Sequence, residues 1–215
     1  LGSEAPGEIN ASLKMIAILT LLTLAPSILL TTTSFVRIVC VLSLLRTALG
    51  TQTTPPQQVV MGLALFLSLA IMWPIGESMY ETAAVPYMEG EISGQEAFVV
   101  GIVPLRKFML RQTRQADLEL FYGISQTARP NLPSDVGMHL LVPAFIISEL
   151  RTAFEMGFMV FIPFLMLDMV VASLTMSLGL VMLPPALISM PLKLMLFVLA
   201  DGWNLLIGSL VRSFG

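Results

Sequence analysis

Two charged residues, Asp168 and Lys193, interrupt stretches that otherwise consist almost entirely of apolar residues. A charge at bilayer depth is costly, and by default it marks an ion pair or a functional site. A carboxyl group and an ammonium group in such a setting can form a buried ion pair, or they can relay a proton. The second chemistry would suit a secondary transporter, and the two residues alone do not decide between these alternatives.

A second group of charges lies near the start of the same long apolar region. Arg151 and Glu155 are spaced i, i+4, so they can pair on one face of a helix. Glu149 lies outside that pair and therefore needs a partner of its own.

The remaining residues that could do chemistry form no catalytic pattern. The sequence has no Gly-x-Ser-x-Gly, no His-Glu-x-x-His and no glycine-rich phosphate-binding loop. His139 is the only histidine and has no neighbouring metal ligands in the sequence. Asp168 and Asp201 lack the sequence contexts of intramembrane aspartyl proteases. We therefore expect no enzymatic activity, no metal site and no cofactor.

The composition places these charges in a membrane chain. Of 215 residues, 56% are hydrophobic and 12% are charged, which is typical of a protein with several membrane helices. The formal net charge is −3, and the single basic cluster, at residues 106–114, is followed at once by Asp117 and Glu119. This pattern does not suit a nucleic-acid-binding surface. A lone cysteine, Cys40, excludes an internal disulfide.

The apolar blocks predict an all-α fold of membrane-associated helical hairpins with a polar helical insert. We expect a flexible tail at residues 1–12 and a first apolar hairpin at 13–85. A polar helical insert should follow at 86–139, and a second apolar hairpin at 140–215. The first hairpin should contain a helix at 13–49, kinked at Pro26, and a second apolar helix at 57–80. We expect an amphipathic helix at 104–122. The second hairpin should contain two further apolar helices, at 140–183 and 186–212. The acidic balance of the insert favours the extracytoplasmic side.

The connection between the last two helices is unusual because its tip is apolar. Gly179 and Pro184–Pro185 force a chain reversal, and the residues between them are Leu180, Val181, Met182 and Leu183. Loops normally carry polar residues, as does the tip of the first hairpin, at 51–54. In a lone hairpin the apolar tip would dip into lipid. Repeated around a ring of subunits, it would form an apolar constriction that can close a pore.

The spacing of the intramembrane charges also bears on assembly. At about 1.5 Å per helical residue, Asp168 lies roughly 24 Å from the tip and Lys193 roughly 12 Å from it. These distances predict that the two cannot meet across their own hairpin. An ionised Asp168 then needs a base from another chain, as in a staggered oligomer, or from this chain offset along the axis. The alternative is that Lys193 extends to the membrane surface, while Asp168 stays protonated or bonds a local hydroxyl.

Several longer segments carry a resemblance to a known family. They are Ser34-Phe-Val-Arg-Ile-Val, Leu44-Leu-Arg-Thr-Ala-Leu-Gly-Thr, Pro55-Pro-x-Gln-Val, Pro104-Leu-Arg-x-Phe-Met-Leu-Arg-Gln-Thr-Arg, Pro143-Ala-Phe-Ile-x-Ser-Glu-Leu-Arg-Thr-Ala-Phe, Phe164-Leu-x-x-Asp-x-Val-x-Ala-Ser and Pro191-x-Lys-Leu-x-Leu-Phe-Val-Leu-x-Asp-Gly-Trp. In this order they resemble the FliP/SctR family of type III secretion export-gate proteins.

The resemblance implies a core subunit of the flagellar export gate in the basal body of the bacterial inner membrane, partly on its periplasmic side. It implies a helical pore complex in which a homopentamer joins FliQ and FliR, with FlhA and FlhB attached, and unfolded proteins pass through the centre. A secondary transporter and a purely structural scaffold are the alternatives.

The resemblance also implies three sets of site residues. A pore gasket is implied at Val181, Met182 and Leu183. Inter-subunit charge pairs are implied at Glu149, Asp168 and Lys193. Inter-subunit aromatic contacts are implied at Phe108 and Phe121. Met182 stands where the family often has consecutive methionines, so apolar character, rather than methionine itself, is expected to make the seal.

Overall fold

A computed structural model describes residues 6–51, 54–126, 129–130, 135–179 and 184–215. Within these ranges the chain folds into α-helices and contains no strand, which confirms the predicted all-α class. The helices are α1 (Pro6–Thr31), α2 (Phe35–Ala48), α3 (Gln57–Met79), α4 (Val85–Met88), α5 (Gly94–Gln112), α6 (Gln115–Ser125), α7 (Met138–Ser177), α8 (Pro185–Leu199) and α9 (Gly202–Arg212). A π-helical turn at Tyr80–Ala84 joins α3 to α4.

Three helical segments of the described chain are long and apolar enough to cross a membrane: Leu13–Thr31, Gln57–Met88 and Met138–Ser177. The bent pair α8–α9 could provide a fourth. This confirms the predicted membrane-scale apolar helices.

The first apolar segment is two helices, so the prediction of one helix over residues 13–49 is wrong. Pro26 lies inside α1, and the break falls after Thr31. The hydroxyls of Thr31 and Thr32 donate to the carbonyls of Ser27 and Ile28, each at 2.8 Å. Such side-chain bonds compete with the helical backbone pattern and favour a helix end. Helix α1 also begins at Pro6, within the segment predicted to be a flexible tail.

Helix α2 is the centre of the hydrophobic core. Its buried residues Phe35, Ile38, Val41, Leu42 and Leu45 follow helical spacing. The helix packs chiefly against α7 and α3. At about 21 Å for 14 residues, α2 is too short to cross a bilayer. Within α2 only Thr47 is exposed, so protein surrounds this helix on most sides.

The polar insert contributes to this core. The structure divides the predicted amphipathic helix into α5 and α6, which meet at Thr113–Arg114. Phe108 and Met109 of α5 are fully buried in the core. Helix α5 begins with a capping box, in which the Ser93 hydroxyl accepts from the Glu96 N–H, and the Ser93 N–H donates to the Glu96 carboxylate. That backbone hydrogen bond lowers the pKa of Glu96.

The second hairpin reverses at the predicted place. Helix α7 ends at Ser177, and Gly179 has φ +71°, a conformation that glycine adopts without strain. Helix α8 begins at Pro185, where a missing backbone N–H costs nothing. The expected fourth helix is divided, because α8 and α9 meet at a 66° bend beside Asp201, whose φ is +50°.

Helices α7 and α8 leave a broad apolar surface exposed in a single chain. The exposed side chains on α7 include Phe154, Phe158, Met159, Met166 and Met169. Apolar surface on this scale needs lipid or another protein against it.

Candidate functional site

Among the residues that the structure describes, the most enclosed charges are Arg37 and Glu149, which form an ion pair inside the core. Arg37 lies on α2 with 2% of its surface exposed, and Glu149 lies on α7 with none exposed. Arg37 Nε donates to Glu149 Oε2 at 3.0 Å, and Nη2 contacts the other carboxylate oxygen. A two-point contact of this kind fixes the position of α2 relative to α7.

The rest of the Arg37 guanidinium binds the C-terminal end of the chain. Nη1 donates to both the carbonyl and the hydroxyl of Ser213 at 2.9 Å, and Nη2 donates to Gln112 Oε1 at 2.9 Å. The guanidinium carbon also lies 3.9 Å from the centre of the Phe214 ring. Every N–H group of Arg37 therefore has an acceptor, and the residue connects α2, α5, α7 and the segment after α9.

A second polar cluster lies beside Glu149 and holds α6 against α7. The Ser148 hydroxyl donates to Asp117 Oδ2 at 2.6 Å and accepts from the Arg114 N–H at 3.0 Å. Asp117 and Ser148 are both buried. Hydrogen bonding satisfies the polar groups that this contact removes from water.

The Arg37–Glu149 pair fixes α2 against α7 and is not arranged to transfer protons. Arginine does not deprotonate in proteins, and each oxygen of Glu149 accepts from Arg37. Sequence reasoning identified Glu149 as needing a partner but did not find Arg37. The available signal was that Arg37 interrupts apolar sequence, as Asp168 and Lys193 do.

The structure brings Asp168 and Lys193 together within one chain. Lys193 Nζ donates to Asp168 Oδ2 at 2.6 Å and to the carbonyl of Ala48 at 3.2 Å. Ala48 is the last residue of α2, where carbonyls lack intrahelical partners and a cation is favourable. Lys193 therefore joins α8 to both α7 and α2.

This contact contradicts the argument that the two charges cannot meet in one hairpin. The predicted helix extends to residue 183, whereas α7 ends at Ser177. From the helix ends, Asp168 lies about 14 Å before Ser177 and Lys193 about 12 Å after Pro185, so the two are level. The side chain of Asp168 is 38% exposed, and a contact of its free edge with a neighbouring subunit stays a prediction.

We expect Asp168→Ala to cost more stability than Lys193→Met. The first change leaves a buried ammonium group, whose remaining acceptor in the structure is the Ala48 carbonyl, and we expect a loss of about 2–3 kcal/mol. The second leaves a partly exposed carboxyl group and should cost about 1 kcal/mol. Denaturant titrations in mixed micelles measure both, and equal losses or the reverse order would contradict this reading.

The two predicted inter-subunit aromatic residues have different surroundings. Phe108 is 2% exposed and packs against Phe145 and Phe214, with ring centres 5.9 and 6.3 Å away. It has almost no surface left for another subunit, so the structure places it in the core of its own chain. Phe121 on α6 is only partly buried, and its contact with a neighbour stays a prediction.

The predicted gasket residues Val181, Met182 and Leu183 lie outside the described residues. The structure describes the flanking positions, Gly179 and Pro184, and the helices that lead to them.

Comparison with known proteins agrees with the resemblance seen in the sequence. The chain matches the model of the FliP family over residues 18–210. It is similar to proteins named flagellar biosynthetic protein FliP from several bacteria. The one from Pectobacterium carotovorum subsp. carotovorum is 53% identical over 203 residues, covering 94% of this chain and 79% of the relative.

Two further relatives carry the same name. The protein from Bacillus subtilis (strain 168) is 48% identical over 212 residues, covering 99% of this chain and 96% of the relative. The protein from Borreliella burgdorferi is 47% identical over 210 residues, covering 96% and 83% of the two chains. A match of this extent and identity identifies the chain as a member of the FliP family.

Proposed function

We propose that this chain is a core, pore-forming subunit of the flagellar type III export gate, where it conducts unfolded flagellar proteins across the bacterial inner membrane. Several copies, a pentamer in the assembly that the family resemblance implies, surround a central passage together with FliQ and FliR. FlhA and FlhB attach to this complex. Part of the assembly lies on the periplasmic side.

The observation that carries the proposal is the apolar reversal between α7 and α8. The residues at its tip, 180–183, are all apolar, and the helices on both sides expose apolar side chains. The charges of this hairpin that lie about two to three turns from the reversal, Asp168 and Lys193, bond each other. Such a hairpin can line a passage or meet a neighbouring copy without presenting an unpaired charge.

Apolar tips that meet on a common axis would exclude water and ions in the resting state. They can separate for an unfolded chain because leucine and methionine side chains repack easily. The energy for transport must then come from partners, since the sequence contains no nucleotide-binding motif.

We expect glycine at Val181, Met182 and Leu183 together to make cells leak small solutes several-fold faster, because the side chains that fill the constriction are removed. The measurement is uptake of a normally impermeant dye by cells that express the subunit with its partners. A matched control replaces Thr51, Gln52 and Thr53, at the polar tip of the other hairpin, with glycine. That control should not leak.

Unchanged permeability in a variant that still assembles would contradict the gasket and favour a structural scaffold. A secondary transporter would instead purify as a small particle and saturate with a small substrate. Particle size in detergent separates these alternatives, because a gate subunit should form a ring or cone of several copies.

A further inference from the structure

A groove between α3 and α5 lies away from the α7–α8 reversal, and its lining includes Phe214, whose ring lies under Arg37. Its volume is about 690 Å³, within the range of cavities that bind small organic ligands. Apolar side chains from both helices form its walls, among them Ile71, Ile75, Val99 and Val103. Val99 and Val103 are 63% and 51% exposed, so the chain does not cover this wall by itself.

Two cations lie at one end of the groove. Lys107 and Arg111 are spaced i, i+4 on α5, and both line the cavity and are exposed. Neither belongs to an ion pair among the described residues, whereas the nearby Arg114 pairs with Glu155. Like charges at this spacing repel each other. No acidic side chain lines the groove, so an anion from outside would relieve the repulsion.

We propose that this groove binds an anionic phospholipid. The phosphate lies between Lys107 and Arg111, and an acyl chain lies along the apolar walls of α3 and α5. Charge complementarity favours an anion at one end, and the aliphatic walls favour a hydrocarbon chain beside it. Apart from the two cations, the polar side chains that line the groove are the hydroxyls of Ser78 and Thr82.

Three observations favour a lipid over an acidic protein segment. A peptide would bring backbone N–H and C=O groups that need partners, and walls of this composition offer few, whereas an acyl chain needs none. Helix α3 also belongs to a segment that is apolar and long enough to cross a membrane, so lipid is its natural surrounding. Trp73, next to the groove residue Pro74, is exposed, and tryptophan is enriched at membrane interfaces.

Native mass spectrometry of the purified protein in detergent tests the proposal. The protein is titrated with dioleoylphosphatidylglycerol, which is anionic, and with dioleoylphosphatidylcholine, which is zwitterionic. The wild type should retain the anionic lipid preferentially. Lys107→Gln/Arg111→Gln should weaken this binding at least tenfold, because each basic residue near an anionic lipid contributes about fivefold. Both side chains are exposed, so the variant should fold normally.

Lys14→Gln/Arg212→Gln is the matched control, since it removes the same charge from exposed sites outside the groove. It should bind the anionic lipid as the wild type does. Val103→Asn tests the wall with both cations in place and should also weaken binding. Glycerol phosphate, which has the anion but no acyl chain, should not compete.

Equal retention of the two lipids would overturn the proposal, and so would an equal loss in the control variant. If glycerol phosphate at the same concentration displaced the lipid, the two cations would bind phosphate without any contribution from the apolar walls, which would also overturn the proposal. If Lys107→Gln/Arg111→Gln lost a protein subunit while keeping the lipid, the groove would belong to an acidic protein partner, which also overturns the assignment.

Discussion

Replacing Glu149 with alanine is expected to lower the free energy of unfolding of the subunit by about 3–5 kcal/mol, the range for breaking a fully buried ion pair. The change leaves the Arg37 guanidinium inside the core without its carboxylate. The hydrogen bonds from Arg37 to Gln112 and Ser213 satisfy individual N–H groups but do not neutralise the charge. Denaturant titration of the purified protein in mixed micelles measures the loss.

The same helix provides a matched control for this prediction. Arg151 and Glu155 also form an ion pair on α7, but both side chains are largely exposed. Arg151→Ala should therefore change the free energy of unfolding by no more than about 1 kcal/mol. A similar loss in both variants would mean that burial of the pair is not the cause.

A double variant separates the missing partner from a general effect of position 149. Arg37→Met/Glu149→Leu removes both charges and keeps much of the volume, so it should be more stable than Glu149→Ala alone. Gln112 and Ser213 lose their donor in this variant, so we do not expect full recovery. A double variant as unstable as the sum of the two single changes would contradict the argument from an uncompensated charge.

The sequence predicts the existence and type of the long helices well. Runs of apolar residues, and breaks at glycine and proline, depend only on residues that are close together in the sequence. The helix at Gln57–Met79 follows the prediction closely, and the helix at Met138–Ser177 begins near the predicted residue but ends six residues before Leu183. The reversal at Gly179 also follows, since its positive φ is a local property of glycine. Pro26 is an exception, because neighbouring threonines rather than the proline mark the end of α1.

The pairing of charges could not be predicted in the same way. Arg37 and Glu149 are 112 residues apart in sequence, and their contact depends on how α2 crosses α7. The Asp168–Lys193 contact depends on where α7 ends, and helix ends are the least reliable part of a sequence prediction. A few residues of error there moved the expected partner of Asp168 from its own chain to another.

Apolar periodicity has a related limit, because it identifies a buried face without identifying what covers it. The spacing of Phe108 and Phe121 is compatible with contact either inside the chain or between chains. The structure distinguishes them, since Phe108 is enclosed by Phe145 and Phe214, whereas Phe121 keeps part of its surface.

Phe108→Ala should therefore lower the free energy of unfolding of the subunit by about 3–5 kcal/mol, the usual range when a buried aromatic ring is removed. The ring contacts both α7 and the C-terminal segment, so neither can fill the cavity without moving the other. Because Phe214 also lies under Arg37, the change should loosen the buried charge network as well. Thermal unfolding of the purified protein in detergent measures this effect.

Phe121→Ala is the comparison that separates subunit stability from assembly. Its ring is partly exposed, so the single chain should lose no more than about 1–2 kcal/mol, since little burial is given up. If Phe121 contacts a neighbouring copy, this variant should instead shift particles in detergent toward smaller sizes. A Phe108 variant with normal subunit stability but defective assembly would place that ring between subunits, against the packing described above.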